Sequence, residues 1–327
     1  MLLSSCVIWR HREWDDFRRE CPGGDERLQR LVWDRLDDAL DWLEAQGAVP
    51  VARETGNPLT VGRRFDPAAL TQVLVSRAGD VQLNHAVGHG DGPLVLCTGG
   101  FGGSPELVDR YIAPAAPLRL RANPWSAGDG LRIGTERGGA LSGGLGEFYG
   151  RNMPDAPWGE SEFVSFSQLY ARFAWIFDER GREFFAADEV SWSETNVVEA
   201  TAHRPNARAY YLLDSAGLER EVRGRPVAEI VASAPAGARV PLAELPFAPP
   251  PDAVAAVRVA ASITHTIGGL RVDERARVLD ADSAPIDGLW AAGVDAGGVA
   301  TGGYASGLAQ ALVLGLAAAD DVAASLA

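Results

Sequence analysis

The sequence predicts an α/β domain interrupted by a second, α+β domain. Three observations lead there. Two apolar runs, LVLCTGG (94–100) and GLWAAGV (288–294), read as buried strands that end in glycine, and the second leads through a glycine-rich loop (295–307) into an apolar helix over about 306–325. Between them, from about 104 to 245, the composition shifts to dense aromatic residues and arginines, including Trp125, Phe148, Trp158, Phe166, Trp175 and Trp192. The strand VRVAASIT (257–264) then restores the first character. The expected boundaries are 1–105 and 250–327 for one domain and 106–249 for the inserted one, closed by the Pro- and Ala-rich link LPFAPPPDAV (245–254).

The elements follow in order. Leu28, Leu31, Val32, Leu36, Leu40 and Leu43 recur at helical spacing over 24–47, with Asp25 to cap the start and Gly47 the end. AVPVARE (48–54) reads as a short strand, 67–79 as a second helix, VQLNHAV (81–87) as a strand and 89–93 as a turn. In the inserted segment, 171–184 alternates as a β-hairpin with its turn at 178–181. The run 264–280 reads as a further strand pair. Strands near 94–98 and 289–293 should be neighbours, because both feed glycine turns that face one ligand from the carboxyl ends of strands.

Composition excludes whole classes. The 327 residues carry a formal charge of −14, from 44 acidic and 30 basic side chains, a field that repels phosphate backbones and anionic lipid. Nucleic acid and membrane are therefore not expected partners, and a small-molecule substrate is. Every basic residue is Arg, so neither a Lys Schiff base nor a P-loop Lys is available. Cys6, Cys21 and Cys97 are too dispersed for a disulfide framework and fit a reducing, cytoplasmic setting. His85 and His89 lie four apart but among glycines, which argues against a helical metal pair, so no metal is expected. The N-terminus has too short an apolar run for a signal peptide, and the C-terminal helix, interrupted by Asp320 and Asp321, is not expected to span a membrane.

The chemistry lies in the glycines. A strand, a glycine-rich loop and a helix let backbone N–H groups and a helix dipole approach an anion or a polarised ring, and 289–315 has that form. The alternative is a tight connection with no ligand. Thr98-Gly99-Gly100-Phe101-Gly102-Gly103 is a second such turn. No GxGxxG follows a first strand, which argues against a nicotinamide dehydrogenase and against a self-contained flavin site.

Four strings in order carry a resemblance. Cys97-Thr98-Gly99-Gly100-Phe101, Ser126-Ala127-Gly128-Asp129-Gly130, His265-Thr266-Ile267-Gly268-Gly269 and the 288–298 run GLWAAGVDAGG resemble motifs of the FAD-binding flavoproteins related to fumarate reductase, the succinate dehydrogenase flavoprotein, tricarballylate dehydrogenase and 3-ketosteroid dehydrogenases. The resemblance spans about 20–325. It implies a Rossmann-type FAD domain interrupted by a capping domain. It places Thr98, Gly99 and Gly100 near the adenosine half of FAD, Asp129 at the cap junction, Asp295 at the ribityl chain, Gly293 among the cofactor-binding residues, and the N–H groups of Gly307 and Leu308 at the flavin N1–C2=O2 edge. The family's opening βαβ unit, with its GxGxxG, has no counterpart here. Residues 1–327 alone are accordingly expected to hold FAD weakly, and an upstream unit to restore binding. The fumarate reductases carry an acid Arg shortly after an R-F-x-x-E stretch, and the corresponding run here, 182–192, has no Arg at that place. The family's substrate-carboxylate Arg falls at Tyr304 or Gly302, so fumarate is not the expected substrate.

The implied activity is an FAD-dependent oxidoreductase interconverting a carbonyl-activated C–C single bond and alkene by hydride transfer at flavin N5, with an unknown electron partner. Such chemistry needs a group that moves the second proton. Tyr304, His265 and Tyr170 are the candidate catalytic residues, and Tyr149, Arg151 and Arg172 the candidate substrate-binding ones. Each has a plain alternative: Tyr304 as a loop aromatic packed on the helix, His265 as a ring hydrogen-bonded within a sheet, and Tyr170 and Arg172 as strand residues packed or solvated. Two other functions compete. One is an N-terminally truncated, non-catalytic family member, and the other a binding module for an apolar ligand.

Overall fold

The computed structural model describes residues 2–87 and 92–326. Strand β1 (Val7–His11) is followed by helices α1 (Trp14–Glu20) and α2 (Glu26–Ala45), strands β2 (Pro50–Ala52) and β3 (Thr60–Phe65), helix α3 (Pro67–Arg77) and strand β4 (Leu94–Leu96). Next come α4 (Pro105–Tyr111), β5 (Arg119–Leu120), α5 (Asp129–Glu136), β6 (Phe148–Pro154), β7 (Trp175–Phe177), β8 (Glu183–Phe185) and α6 (Thr195–Ala202). The order closes with β9 (Arg208–Leu213), α7 (Ser215–Leu218), β10 (Glu221–Val222), β11 (Arg225–Pro226), α8 (Val227–Ser233), β12 (Ala255–Thr266), β13 (Arg277–Leu279), β14 (Pro285–Ala291) and α9 (Gly307–Leu326).

Two compact units result. The first comprises 1–104, 124–147 and 265–327, and the second 105–123 and 148–264. These limits differ from the sequence boundaries at two places. Segment 124–147 falls in the first unit because Gly128 N–H donates to Gly100 O at 2.9 Å and Gly130 N–H to Thr98 Oγ1 at 2.9 Å. Segment 250–264 falls in the second because β12 pairs antiparallel with β9, from Ala255 opposite Leu213 to Ala260 opposite Arg208.

In the first unit, α2 forms as its periodicity dictates. Asp25 caps it, accepting from the N–H groups of Arg27 and Leu28 at 2.9 and 3.4 Å. Leu28, Val32, Leu36, Ala39, Leu40 and Leu43 are buried along one face, which packs on α9 and β1. Each large side chain so buried contributes roughly 1.5–3 kcal/mol. Strands β1, β3 and β2 make an antiparallel sheet, while β14 lies between β13 and β4. As expected, β14 and β4 are neighbours: they run parallel, Leu289 opposite Leu94 and Ala291 opposite Leu96. Helix α9 is long and apolar enough, by length and composition alone, to cross a membrane. Its Ala309, Val313, Leu314, Ala317 and Ala318 are buried, and Asp321 accepts from Trp290 Nε1 at 3.0 Å.

The second unit is built on a sheet in the order β5-β12-β9-β7-β8, with β6 also paired to β12. The expected hairpin is β7–β8, turned at Gly181 (φ +72°), with Asp178 accepting from the N–H groups of Arg180 and Arg182. Its expected start is corrected, since 171–173 is a 3-10 turn and Tyr170 and Arg172 are not on a strand. The strand expected over 81–87 is also absent. Those residues are all exposed, and among the described residues no strand pairs with them to give the ladder that an extended segment needs. The turn at 89–93 lies largely outside the described residues, as does His89.

Gly150 on β6 lies so close to β12 that a Cβ there would stand 1.9 Å from Ser262 O, a backbone atom that cannot give way alone. Gly150→Ala should lower the stability of the second unit by about 3 kcal/mol, the upper range for overpacking, read as a shift in its chemical denaturation midpoint. An unshifted midpoint would show that β6 and β12 are not held this closely.

Candidate functional site

Asp295 organises the first unit's glycine turns. Its carboxylate, 1% exposed, accepts the N–H of Thr98, the Thr98 hydroxyl at 3.0 Å and the N–H of Gly100 at 2.9 Å. One acid just after β14 thus gathers the donors that follow β4, across the parallel pair. Burial pushes the carboxyl above its ordinary range, and the backbone N–H groups of Thr98, Gly100 and Gly99 oppose that rise. Gly99 and Gly100 turn at φ +94° and +78°, a left-handed region that side chains disfavour. The start of α5 closes on the same point. A Cβ on Gly130 would meet the Asp295 carboxylate at 2.4–2.8 Å. Asp129 beside it is exposed, 3.7 Å from Arg132.

The loop after Asp295 is held from several sides. Gln29, fully buried on α2, donates to Val299 O at 2.8 Å, Asp25 N–H reaches Gly298 O at 2.8 Å, and Glu147 accepts the N–H of Gly302 at 2.6 Å. Gln310 on α9 donates back to the carbonyls of Gly293 and Ala296 at 2.8 and 2.6 Å. Nothing local marks Gln29, Glu147 and Gln310, because an amide or acid inside a helical or loop run gives no sign of a distant backbone partner.

This scaffold places Tyr304. Its half-buried ring lies 5.9 Å from the Trp9 ring and 6.0 Å from that of His265. His265 Nδ1–H donates to Thr266 O at 3.0 Å, so Nε2 is left as the acceptor of a neutral ring, and burial pushes its pKa down. That Nε2 faces the first residue of α9: a Cβ on Gly307 would stand 2.9 Å from it. Gly307 and Leu308 carry helix-terminal N–H groups of the kind an α-helix leaves without an internal partner. The structure therefore brings Thr98, Gly99, Gly100 and Asp295 together at one point, and Tyr304, His265 and Gly307 at another.

Tyr170 is corrected. It has no exposed surface, its hydroxyl donates to Gln168 Oε1 at 2.9 Å, and its ring packs edge-on against Tyr211 in the core of the second unit. It is a packing residue. Arg151 is buried, donates to Ser193 O, and lies 4.7 Å over the half-buried Tyr149 ring. Arg172 is exposed and donates to Ser191 O at 3.3 Å.

No local pattern marks Glu194. It caps α6 in a left-handed conformation (φ +58°), only 4% exposed, with its carboxyl pushed up to about 7. Burial raises it. Arg151, Arg223, Arg172 and the Ala171 N–H pull the other way.

Two outcomes follow. Asp295→Asn turns an NH₂ donor toward groups that are themselves donors, and should cost about 2–3 kcal/mol of first-unit stability, measured by thermal melting. A melt equal to wild type would contradict the clamp. The raised Glu194 carboxyl is still protonated in the folded state where the unfolded chain has already ionised. The contribution of Glu194 to stability should therefore be greatest below about pH 4.5, fall as pH rises, and level off above about pH 7, while His11 and His265, whose pKa values burial lowers, contribute with the opposite sign over part of that range. The difference in stability between wild type and Glu194→Gln, measured by denaturation across that range, should carry this fall; a difference that does not change with pH would contradict it.

Known proteins match this arrangement. The FAD binding domain family matches residues 88–308, more than half of the chain. NADH:acrylate oxidoreductase from Vibrio harveyi is 25% identical over 270 residues, covering 70% of this chain and 26% of its own length. A protein named "Probable fumarate reductase Ifc3" from Shewanella frigidimarina is 43% identical over 70 residues, 21% of this chain and 12% of its own. The chain thus spans only about a quarter, or less, of these relatives. Among solved structures, an open flavocytochrome c3 fumarate reductase aligns with a TM-score of 0.64 at 22% identity, over 95% of this chain and 66% of its own. The 3-ketosteroid-Δ4-(5α)-dehydrogenase of Rhodococcus jostii aligns at 0.62 and 16% identity, over 98% and 88%. The fold is the one they share, and the chain belongs to the FAD binding domain family.

Proposed function

We propose that the protein is an FAD-dependent oxidoreductase that interconverts a carbonyl-activated C–C single bond and alkene. The observation that carries this reading is the knot at the carboxyl ends of β4 and β14. Two glycine turns and a helix start are drawn together there by one buried carboxylate, inside the segment that matches the FAD family. The relatives' names, an acrylate oxidoreductase and a fumarate reductase, support the same bond type.

The residues present fit FAD. Gly99, Gly100 and Gly307 leave no room for a Cβ and bring backbone close to whatever lies against the turns. Thr266 Oγ1 is buried beside Gly100 without a protein partner. Thr98, Gly99 and Gly100 would hold the adenosine half and Gly293 the ribityl chain. The Gly307 and Leu308 N–H groups, at the positive end of α9, would face the flavin N1–C2=O2 edge and favour negative charge there. Asp295 spends its oxygens on the Thr98–Gly100 turn, so its role is to set the turn's shape, and Asp129 would meet the cofactor from the start of α5.

When bound, FAD supplies hydride exchange at N5. The protein must move the remaining proton. Tyr304 is suited to it: its hydroxyl, with a reference pKa of ~10, can give a proton to a carbon alpha to a carbonyl or take one from it. Neutral His265 beside it can position the ring or share the proton through Nε2. A phenol cannot clamp a carboxylate bidentately as Arg does, so a dicarboxylate such as fumarate is a poor substrate.

Tyr304→Phe keeps the ring against Trp9 and removes only the proton. Turnover with an activated alkene and reduced flavin should fall by about 10²–10⁴-fold with FAD retained. Unchanged turnover would return Tyr304 to a packing role, and robust fumarate reduction by wild type would overturn the substrate reading.

A further inference from the structure

The first unit holds a cavity that the flavin chemistry does not use. It has a volume of about 320 Å³ and is walled by the loop after β2, by Arg12 just past β1, and by the start of β3. Small-molecule sites span roughly 300–1,000 Å³, so the space is that of a small ligand. All of its lining falls between residues 12 and 61, inside one compact unit and outside the segment 88–308 that matches the FAD family.

The wall is tied into one shape. Arg12 donates its N–H to Leu59 O at 2.8 Å and its Nε–H to Pro58 O at 3.3 Å, which fastens the loop to the end of β1. Within the loop, the hydroxyls of Thr55 and Thr60 lie 2.7 Å apart, and Asn57 Oδ1 accepts the N–H of Leu59 at 3.0 Å. Gly56 turns at φ +78°, and a Cβ there would meet nothing within 4 Å. The Asn57 amide thus has its oxygen committed to the loop. Its Nδ2, on a side chain only 9% exposed, is buried with no protein partner. A buried donor left without an acceptor costs about 1–3 kcal/mol, which an acceptor carried by a ligand would relieve.

The charges of the lining point the same way. Arg53 is matched by Glu44 on α2 at 2.8 Å. Arg12 and Glu54 are exposed and line the same cavity, yet among the described residues they form no ion pair, either with each other or with a third group. A ligand with one negative and one positive end would complete both. We propose that the cavity binds a small amino acid, its carboxylate taken by the Arg12 guanidinium and Asn57 Nδ2 and its ammonium by Glu54. A guanidinium fork matches the two oxygens of a carboxylate, and a carboxylate accepts the donors of an ammonium. Glu54 would repel a ligand carrying only negative charge, such as a phosphate dianion. This inference stands apart from the oxidoreductase reading and shares no residue with it.

The test titrates glycine, β-alanine and γ-aminobutyrate, which differ in the spacing of their two charges, calorimetrically into the whole chain at about pH 7, where both ends are ionised. Acetate, propionate and butyrate are their amine-free counterparts. At least one of the amino acids should bind about tenfold more tightly than its counterpart. Arg12→Gln and Asn57→Asp should each weaken that amino acid by about fivefold or more. The second variant keeps the Oδ1 bond to Leu59 and replaces only the NH₂ donor, so the loop retains its shape. Glu54→Gln should abolish the preference for the amine. Binding of none of the amino acids, or unaltered affinity in both Arg12→Gln and Asn57→Asp, would overturn the site. A preference for the amine that survives Glu54→Gln would overturn the assignment of the ammonium to Glu54.

Discussion

The Asp295 carboxylate is the interaction on which the first unit depends. A charge that is 1% exposed must be met by donors, and those it finds are the N–H groups and hydroxyl of the turn after β4. That requirement fixes the rest. The turn must curl through left-handed backbone, so Gly99 and Gly100 follow. The start of α5 must approach to hydrogen-bond Thr98, so Gly130 follows, because any Cβ would strike the carboxylate. Motifs far apart in the chain are therefore parts of one packed object, and their glycines answer to each other before they answer to a cofactor.

The same logic extends along the loop to Tyr304. Gln29, Asp25, Glu147 and Gln310 satisfy its carbonyls and N–H groups from four places. A loop so rich in glycine would otherwise lose much conformational entropy on ordering. Held this way, it presents Tyr304 between Trp9 and His265 and starts α9 at Gly307. Rigidity of the backbone is what makes a single phenol credible as a proton carrier, since proton transfer demands a fixed geometry.

Much of this was legible in the sequence. Helix α2 is legible by its period and caps, α3 and α9 are legible as helical segments, and the adjacency of β4 and β14 follows from both strands ending in glycine. What stayed hidden was decided by long-range contact. Strands β1 and β3 pair with each other across α1 and α2, and neither VIWRH nor TVGRRF shows clean alternation. Tyr170 looked like a strand residue with a useful hydroxyl, yet its ring fills the core against Tyr211. Glu194, in the polar string Ser191-Trp192-Ser193-Glu194-Thr195, resembled an ordinary solvated acid. Only the fold buries it, and burial perturbs its carboxyl against the opposing pull of nearby arginines.

The central claim is that FAD lies against the turns that Asp295 and the Glu147–Gln310 ties hold in place. Amide hydrogen exchange with and without saturating FAD addresses it directly, because it reports on each backbone segment. The expected result is added protection over 98–100, 128–131 and 293–308, with strands β2 and β3 unchanged. Protection confined to other segments, or none at FAD concentrations that load the protein, would contradict the account.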